Sequence, residues 1–321
     1  MHWPRLRPYT GAMHHERSEQ RYSAVPEALR ERLRAFWWAH PYRCVAVGQT
    51  TWRYLDGGQG QRLVLLVPGG HLPAQFWFGL CEELERDYRV VATDAPARLG
   101  LLDPRAVADG LTGLLDALGV LGAAIVAHGE AGLAAQHLLQ SYPHRVQALA
   151  LVNSPLLDPR TGSDRVTRAA HWLAERLPWR WVGARVSAVH PRPLPHTVWA
   201  PYTRALLETP GVAVGRQDWV ALVDAVSAAC RATHLDRRAL TGWQGRSLII
   251  TASDDWRSAS HAGPLSQRLG APIEWFTDGG QALAALYPEA LARAVRSMLQ
   301  AAWALDGLPL DAPYLLGADE P

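Results

Sequence analysis

The sequence predicts a doubly wound α/β fold, a mostly parallel sheet with a helical cap inserted ahead of its last strands. Three observations carry that reading. Leu63–Val67 is continuously apolar and suits a strand buried on both faces, and Val146–Val152, apolar but for Gln147, reads as a buried strand. Segments of helical period separate those runs, as crossovers in a parallel sheet require. From about 156 to 243 the alternation stops in favour of helical, Trp- and Pro-rich sequence, and it resumes at Ser247–Thr251.

In chain order, residues 1–25 are polar, carry Pro4 and Pro8, lack a core-facing period and read as a mobile arm. Pro26-Glu27 opens a helix to about Trp38, with Leu29, Leu33, Phe36 and Trp37 at 3-to-4 spacing. Cys44–Val47 and Thr51–Leu55 are β-type runs, and Asp56-Gly57-Gly58 turns the chain into Leu63–Val67. Pro68-Gly69-Gly70-His71 follows, then an aromatic helix through Phe76–Leu80 and the strand Tyr88–Thr93, which ends at Asp94. Asp103 caps a long helix that Gly119 ends. Ala124–Ala127 reads as a buried strand, Ala131–Tyr142 as an apolar helix, and Val146–Val152 as a strand running into Asn153-Ser154-Pro155. After the helical block come Ser247–Thr251, a helix near His261–Leu269, the strand Pro272–Phe276 and a closing helix from Pro288 to about Leu305. The expected division is an arm at 1–25, a core at 26–155 and 244–306, a cap at 156–243 and an irregular tail at 307–321.

Composition excludes several classes. The 321 residues, 48% apolar, suffice for one large domain with an insertion. A balance of 32 basic and 30 acidic residues supplies no bulk field for nucleic acid or an anionic membrane. Every basic residue is Arg, a compositional bias before it is a binding signal. Cys44, Cys81 and Cys230 are odd in number and form no C-x-x-C pair, as expected of reduced thiols in the cytoplasm. With no signal-like start and no run of eighteen apolar residues, the expectation is a protein that is not integral to a membrane, leaving peripheral association open. No His/Asp/Glu cluster has metal-ligand spacing, no G-x-G-x-x-G follows a strand, and no cofactor is expected.

The chain is organised around Ala124-Ile-Val-Ala-His-Gly-Glu-Ala-Gly132, in which a strand passes through His128-Gly129-Glu130 into a helix. This is the strand-turn-helix context in which G-x-S-x-G presents a nucleophilic Ser, yet the nucleophile slot holds Gly129. Together with the Gly-rich loop after Leu63–Val67, Tyr88–Asp94, Arg145–Pro155 and Leu248–Asp255, this segment resembles the α/β-hydrolase fold over nearly the whole chain. Trp52-Arg-Tyr-Leu-Asp-Gly-Gly58, the Pro-bearing loop after the third strand and the Gly279-Gly280 pair make the maspardin-like group the closest resemblance within it.

That resemblance implies a triad in the order Ser, acid, His. It assigns the nucleophile position to Gly129, the acid to Asp255, and the base, seven residues before Pro288-Glu289, to Gln281. Glutamine cannot accept a proton near neutral pH as imidazole does, so two of the three groups are missing independently. The backbone N–H groups of Gly70 and Glu130 occupy oxyanion-hole positions, and a helix N-terminus attracts anions without a nucleophile. Glu130 either settles against the helix dipole or points into the pocket. His71, His128, Ser154 and Asp94 are further pocket candidates, each with a structural reading beside the functional one: loop for His71, packing for His128, turn for Ser154, loop organisation for Asp94. In the cap, Trp172, Trp179 and Trp181 alternate with Arg, the composition of a partner surface, although an ordinary lid would use the same residues. The expected function is a binding or adaptor protein on a degenerate hydrolase scaffold, the role the maspardin resemblance implies, with an unknown protein or a small apolar or carbonyl ligand as its partner. The alternatives are an esterase-like hydrolase with a displaced nucleophile and a small-molecule receptor on the same pocket.

Overall fold

The computed structural model describes residues 21–162, 165–179, 181, 194–209 and 215–304. The chain opens with α1 (Glu27–Ala39), then β1 (Arg43–Val47) and β2 (Thr50–Gly57) as an antiparallel pair, β3 (Leu63–Val67), α2 (Phe78–Leu84), β4 (Arg89–Thr93) and α3 (Pro104–Ala117). The elbow joins β5 (Ala123–His128) to α4 (Ala131–Ser141), and β6 (Val146–Val152) follows. The cap contributes α5 (Pro159–Gly162), α6 (Arg165–Arg176), α7 (Ala200–Leu207) and α8 (Arg216–Ala232). The core resumes with β7 (Arg246–Ala252), α9 (Trp256–Leu269), β8 (Ile273–Phe276), α10 (Leu283–Leu286) and α11 (Pro288–Ala304). The eight strands form one sheet in the order β1-β2-β4-β3-β5-β6-β7-β8, parallel from β4 to β8.

The apolar runs behave as their composition requires. Every residue of β3 and β5 is buried, and successive side chains feed opposite faces: Val64 and Leu66 join one core layer, Leu63, Leu65 and Val67 the other. Each such side chain contributes about 1.5–3 kcal/mol by leaving water. At the N-terminus of α3 the Asp103 carboxylate accepts the Arg105 N–H at 3.1 Å, with Pro104 in the first turn. Helix α4 is buried from Ala131 to Leu139, including Gln136, whose amide is engaged at both ends. Its Nε2 donates to the carbonyls of Gly132 (3.0 Å) and Pro155 (2.8 Å), and its Oε1 accepts the Leu157 N–H at 2.8 Å. That amide fixes the point where the chain leaves the sheet for the cap.

Two expectations need correction. The end of the expected arm is structured: Tyr22 and Val25 are buried in the core, Tyr22 stacking on Tyr202 of α7 with ring centroids 5.7 Å apart. The helix expected from His261 begins at Trp256, because the Ser-rich first turn that hides its period lies directly behind Asp255. Among the described residues of 156–243 there is no strand. Residues 1–20 of the expected arm, and the expected tail at 307–321, lie outside the described residues.

Candidate functional site

Three loops at the carboxyl ends of β5, β7 and β8 meet. At the elbow, Gly129 takes φ +56°, a left-handed conformation in which a side chain is strained, and its N–H donates to Val152 O at 2.9 Å, tying the turn to β6. Behind it, α4 can approach β6 because residue 132 is glycine: a Cβ there would stand 2.1 Å from Ser154 Oγ. After β7, the Asp254 carboxylate accepts the N–H groups of Gly279 (3.2 Å) and Gly280 (2.9 Å), which turn at φ +109° and +47° and deliver the next residue, Gln281. Gln281 Nε2 donates to the Asp255 carboxylate and reaches Ser258 Oγ (2.9 Å) and Asn153 O (3.4 Å). With three acceptors around it, that end of the amide must be the nitrogen. Its oxygen therefore faces the elbow: a Cβ built on Gly129 would lie 3.5 Å from Gln281 Oε1.

Gly129, Gln281 and Asp255 thus converge, in the order in which a nucleophile, base and acid would be read from the pocket inward. Ser258 and Asn153 complete the network. Ser258 Oγ stands 2.5 Å from Asp255 Oδ2 and 3.0 Å from Asn153 O. Asn153, left-handed at φ +46°, donates to Gly280 O (2.5 Å) and accepts the Ala252 N–H (2.9 Å). Sequence reasoning missed Asp254, Ser258 and Asn153. The adjacent Asp254-Asp255 pair and the i, i+3 spacing of Ser258 from Asp255 were the available signals.

His128 is buried beside this floor. Its Nδ1 accepts the Gly69 N–H at 3.4 Å, so the proton is on Nε2 and donates to Gln281 O at 2.8 Å. Burial pushes its pKa down to about 4, which keeps it neutral. The expected oxyanion hole is occupied by the protein itself: the Gly70 N–H donates to Glu130 Oε2 at 3.1 Å. Glu130 therefore turns toward the loop after β3.

Above the floor lies a cavity of about 580 Å³, within the range of small-molecule sites. Gly70, His128, Gly129, Glu130 and Gln281 form its base, and Trp219, Leu222, Val223 and Val226 of α8 its apolar wall. Trp256, Arg257 and His261 of α9 stand opposite.

No protein-family model matches the chain. Similar solved structures include a hydrolase from Pseudomonas aeruginosa, 22% identical with a TM-score of 0.62, over 80% of this chain and 98% of that one. An esterase from Thermogutta terrifontis is 19% identical with a TM-score of 0.60, over 82% and 98% of the two chains. A haloalkane dehalogenase from Bradyrhizobium elkanii is 19% identical with a TM-score of 0.61, over 84% and 99%. The chain has the α/β-hydrolase fold.

Within that α/β-hydrolase fold three of the expected pocket residues are elsewhere. Ser154 is buried beneath α4, within reach of the Ala127 (3.4 Å) and Val152 (3.3 Å) carbonyls; the left-handed turn at Asn153 rotates it away from the cavity. Asp94 is buried behind the loop after β3, where it accepts the Ala74 N–H at 2.9 Å and meets Arg53 at 3.4 Å. His71 lines no part of the cavity; burial lowers its pKa, and its carbonyl accepts Arg98 at 3.1 Å. In the cap, Trp172 and Trp181 are 52% and 60% exposed, whereas Trp179 packs on Trp219 with centroids 6.2 Å apart. Among the described residues, no group of His, Cys, Asp or Glu could hold a metal ion and no helix is long and apolar enough to cross a membrane.

Proposed function

We propose that this chain is a non-hydrolytic binding protein that holds a small, largely apolar molecule in the cavity above Gly129. The observation behind this reading is the pair Gly129 and Gln281: the elbow offers no attacking atom, and the amide at the base position cannot take a proton. The carboxylate of Glu130 on the Gly70 N–H takes up one of the two donors expected for a developing oxyanion. An apolar wall and about 580 Å³ of space supply what binding a small molecule needs. The maspardin-like resemblance points in the same direction.

The test combines two measurements on the wild-type protein. Ester hydrolysis, followed with p-nitrophenyl acetate and butyrate, stays at the level of a denatured control, while octyl-chain ligands quench Trp219 and Trp256 fluorescence saturably. Val226→Trp, which fills the cavity from its wall, abolishes the quenching. Saturable turnover lost on Ser258→Ala or Glu130→Gln would replace this reading with a displaced-nucleophile hydrolase, for which Ser258 beside Asp255 is the available hydroxyl.

Capture of a protein partner by the cap is a second reading, favoured by the exposure of Trp172 and Trp181 and by Arg176 stacked over Trp172 at 4.8 Å. Trp172→Ala then leaves the unfolding midpoint unchanged, within about 0.5 kcal/mol for a surface site, while weakening capture.

A further inference from the structure

We propose that the floor of the cavity selects a ligand that leads with a protonated amine and carries an apolar body. This rests on the small-molecule reading above and adds the chemistry of the ligand's head. A working oxyanion site presents hydrogen-bond donors to incoming negative charge. Here the donors around Gly129 are already engaged. The Gly70 N–H is held by Glu130 Oε2, the Gly69 N–H by His128 Nδ1, His128 Nε2–H by Gln281 O, and Asn153 Nδ2 by Gly280 O. Gln281 Nε2 is spent on Asp255, Ser258 and Asn153.

What the floor keeps is acceptors. Gln281 Oε1 faces the space over Gly129, and the Glu130 carboxylate has acceptor capacity beyond its single bond to Gly70. The Glu130 backbone N–H remains as a donor, but its own carboxylate shares that corner. A Cβ at Gly69 would stand 2.9 Å from Glu130 Oε2 and 3.0 Å from Glu130 N, so an anion approaching the N–H meets a negative charge.

Charge is arranged the same way. Glu130 is the carboxylate of the floor and has no basic side chain paired with it among the described residues; Asp255 stands behind Gln281, likewise with no basic partner among them. The basic residues that line the cavity are Arg160 of α5 and Arg257, His261 and Arg268 of α9, away from the elbow in sequence and each with an interaction of its own: Arg268 meets Asp158 at 3.3 Å, and Arg257 lies over Trp256 at 5.6 Å. A cationic head directed inward satisfies the acceptors and the charge together, with its chain along Leu222, Val223 and Val226.

Calorimetric titration of the wild-type protein at neutral pH with octylamine, 1-octanol and octanoate separates the outcomes. Octylamine is expected to bind at least ten-fold more tightly than octanoate, with octanol between them. Glu130→Gln, which keeps the shape and removes the charge, should weaken octylamine about ten-fold and strengthen octanoate. If Glu130→Gln fails to fold, Gln281→Leu takes its place, removing one acceptor and weakening octylamine while leaving octanol less affected. Octanoate binding as tightly as octylamine, or an amine-to-carboxylate ratio that the variant does not move, overturns this assignment and leaves the small-molecule reading standing. If none of the three binds, both fall.

Discussion

A side chain fits at Gly129. A Cβ there would meet Gln281 Oε1 at 3.5 Å and Gly69 Cα at 3.7 Å, ordinary contacts, although φ +56° strains any L-residue. Combining Gly129→Ser with Gln281→His therefore rebuilds a nucleophile and a base that Asp255 can orient, and p-nitrophenyl butyrate hydrolysis should rise above wild type only in the double variant. Each single variant should stay at background, since groups acting as a unit are grossly non-additive. Adding Glu130→Ala should raise the rate about another ten-fold or more by freeing the Gly70 N–H. Activity from Gly129→Ser alone would mean that Gln281 is not the base position. Of this site, the sequence made Gly129, Asp255 and Gln281 legible because each follows a recognisable strand end. The Glu130–Gly70 contact was not legible: it depends on the rotamer of one side chain and a loop sixty positions away.

Helix α4 meets β6 through Gly132 and Ser154, and that contact sets an energetic limit. Gly132→Ala would gain about 1 kcal/mol in helix propensity. Against this stands a Cβ placed 2.1 Å from Ser154 Oγ and 2.5 Å from its Cβ, in a buried layer where overpacking costs about 1–3 kcal/mol. Net destabilisation in urea unfolding is expected, and a double-mutant cycle with Ser154→Gly should show that the two changes are coupled, not additive. Equal stability of wild type and Gly132→Ala would show that the helix shifts freely. Elements such as β3, β5 and β6 were readable because a strand covered on both faces needs a nearly unbroken apolar run, interrupted here only by Gln147 in β6 and by His128 at the end of β5. Helix α9 was readable only in its second half, because Ser258, Ala259 and Ser260 give its first turns no apolar stripe, and Ser154 was misplaced because alternation does not foresee a left-handed Asn153.

At the scale of the molecule, the two halves of the core are joined by polar contacts, and one of them titrates. His128 on β5 donates to Gln281 O beyond β8, and its folded pKa of about 4 lies below the ordinary 6.5. Between those values the unfolded chain binds more protons, so stability is lost as pH falls from about 6.5 to about 4 and changes no further from this source below that. A shift of that size corresponds to about 3 kcal/mol. Urea unfolding of wild type and His128→Gln at pH 7, 5.5 and 4.5 should show a steeper loss in wild type; parallel curves would remove His128 as the cause. The cap interposed between the two halves has a consequence during synthesis. Strand β6, an apolar run ending at Val152, leaves the ribosome long before Arg246 opens β7, its partner on that side. At translation rates of about 5–20 residues per second, that edge stays unpaired for roughly 5–20 seconds. The nascent chain must therefore keep a sticky strand from its neighbours on the polysome while the cap is being made.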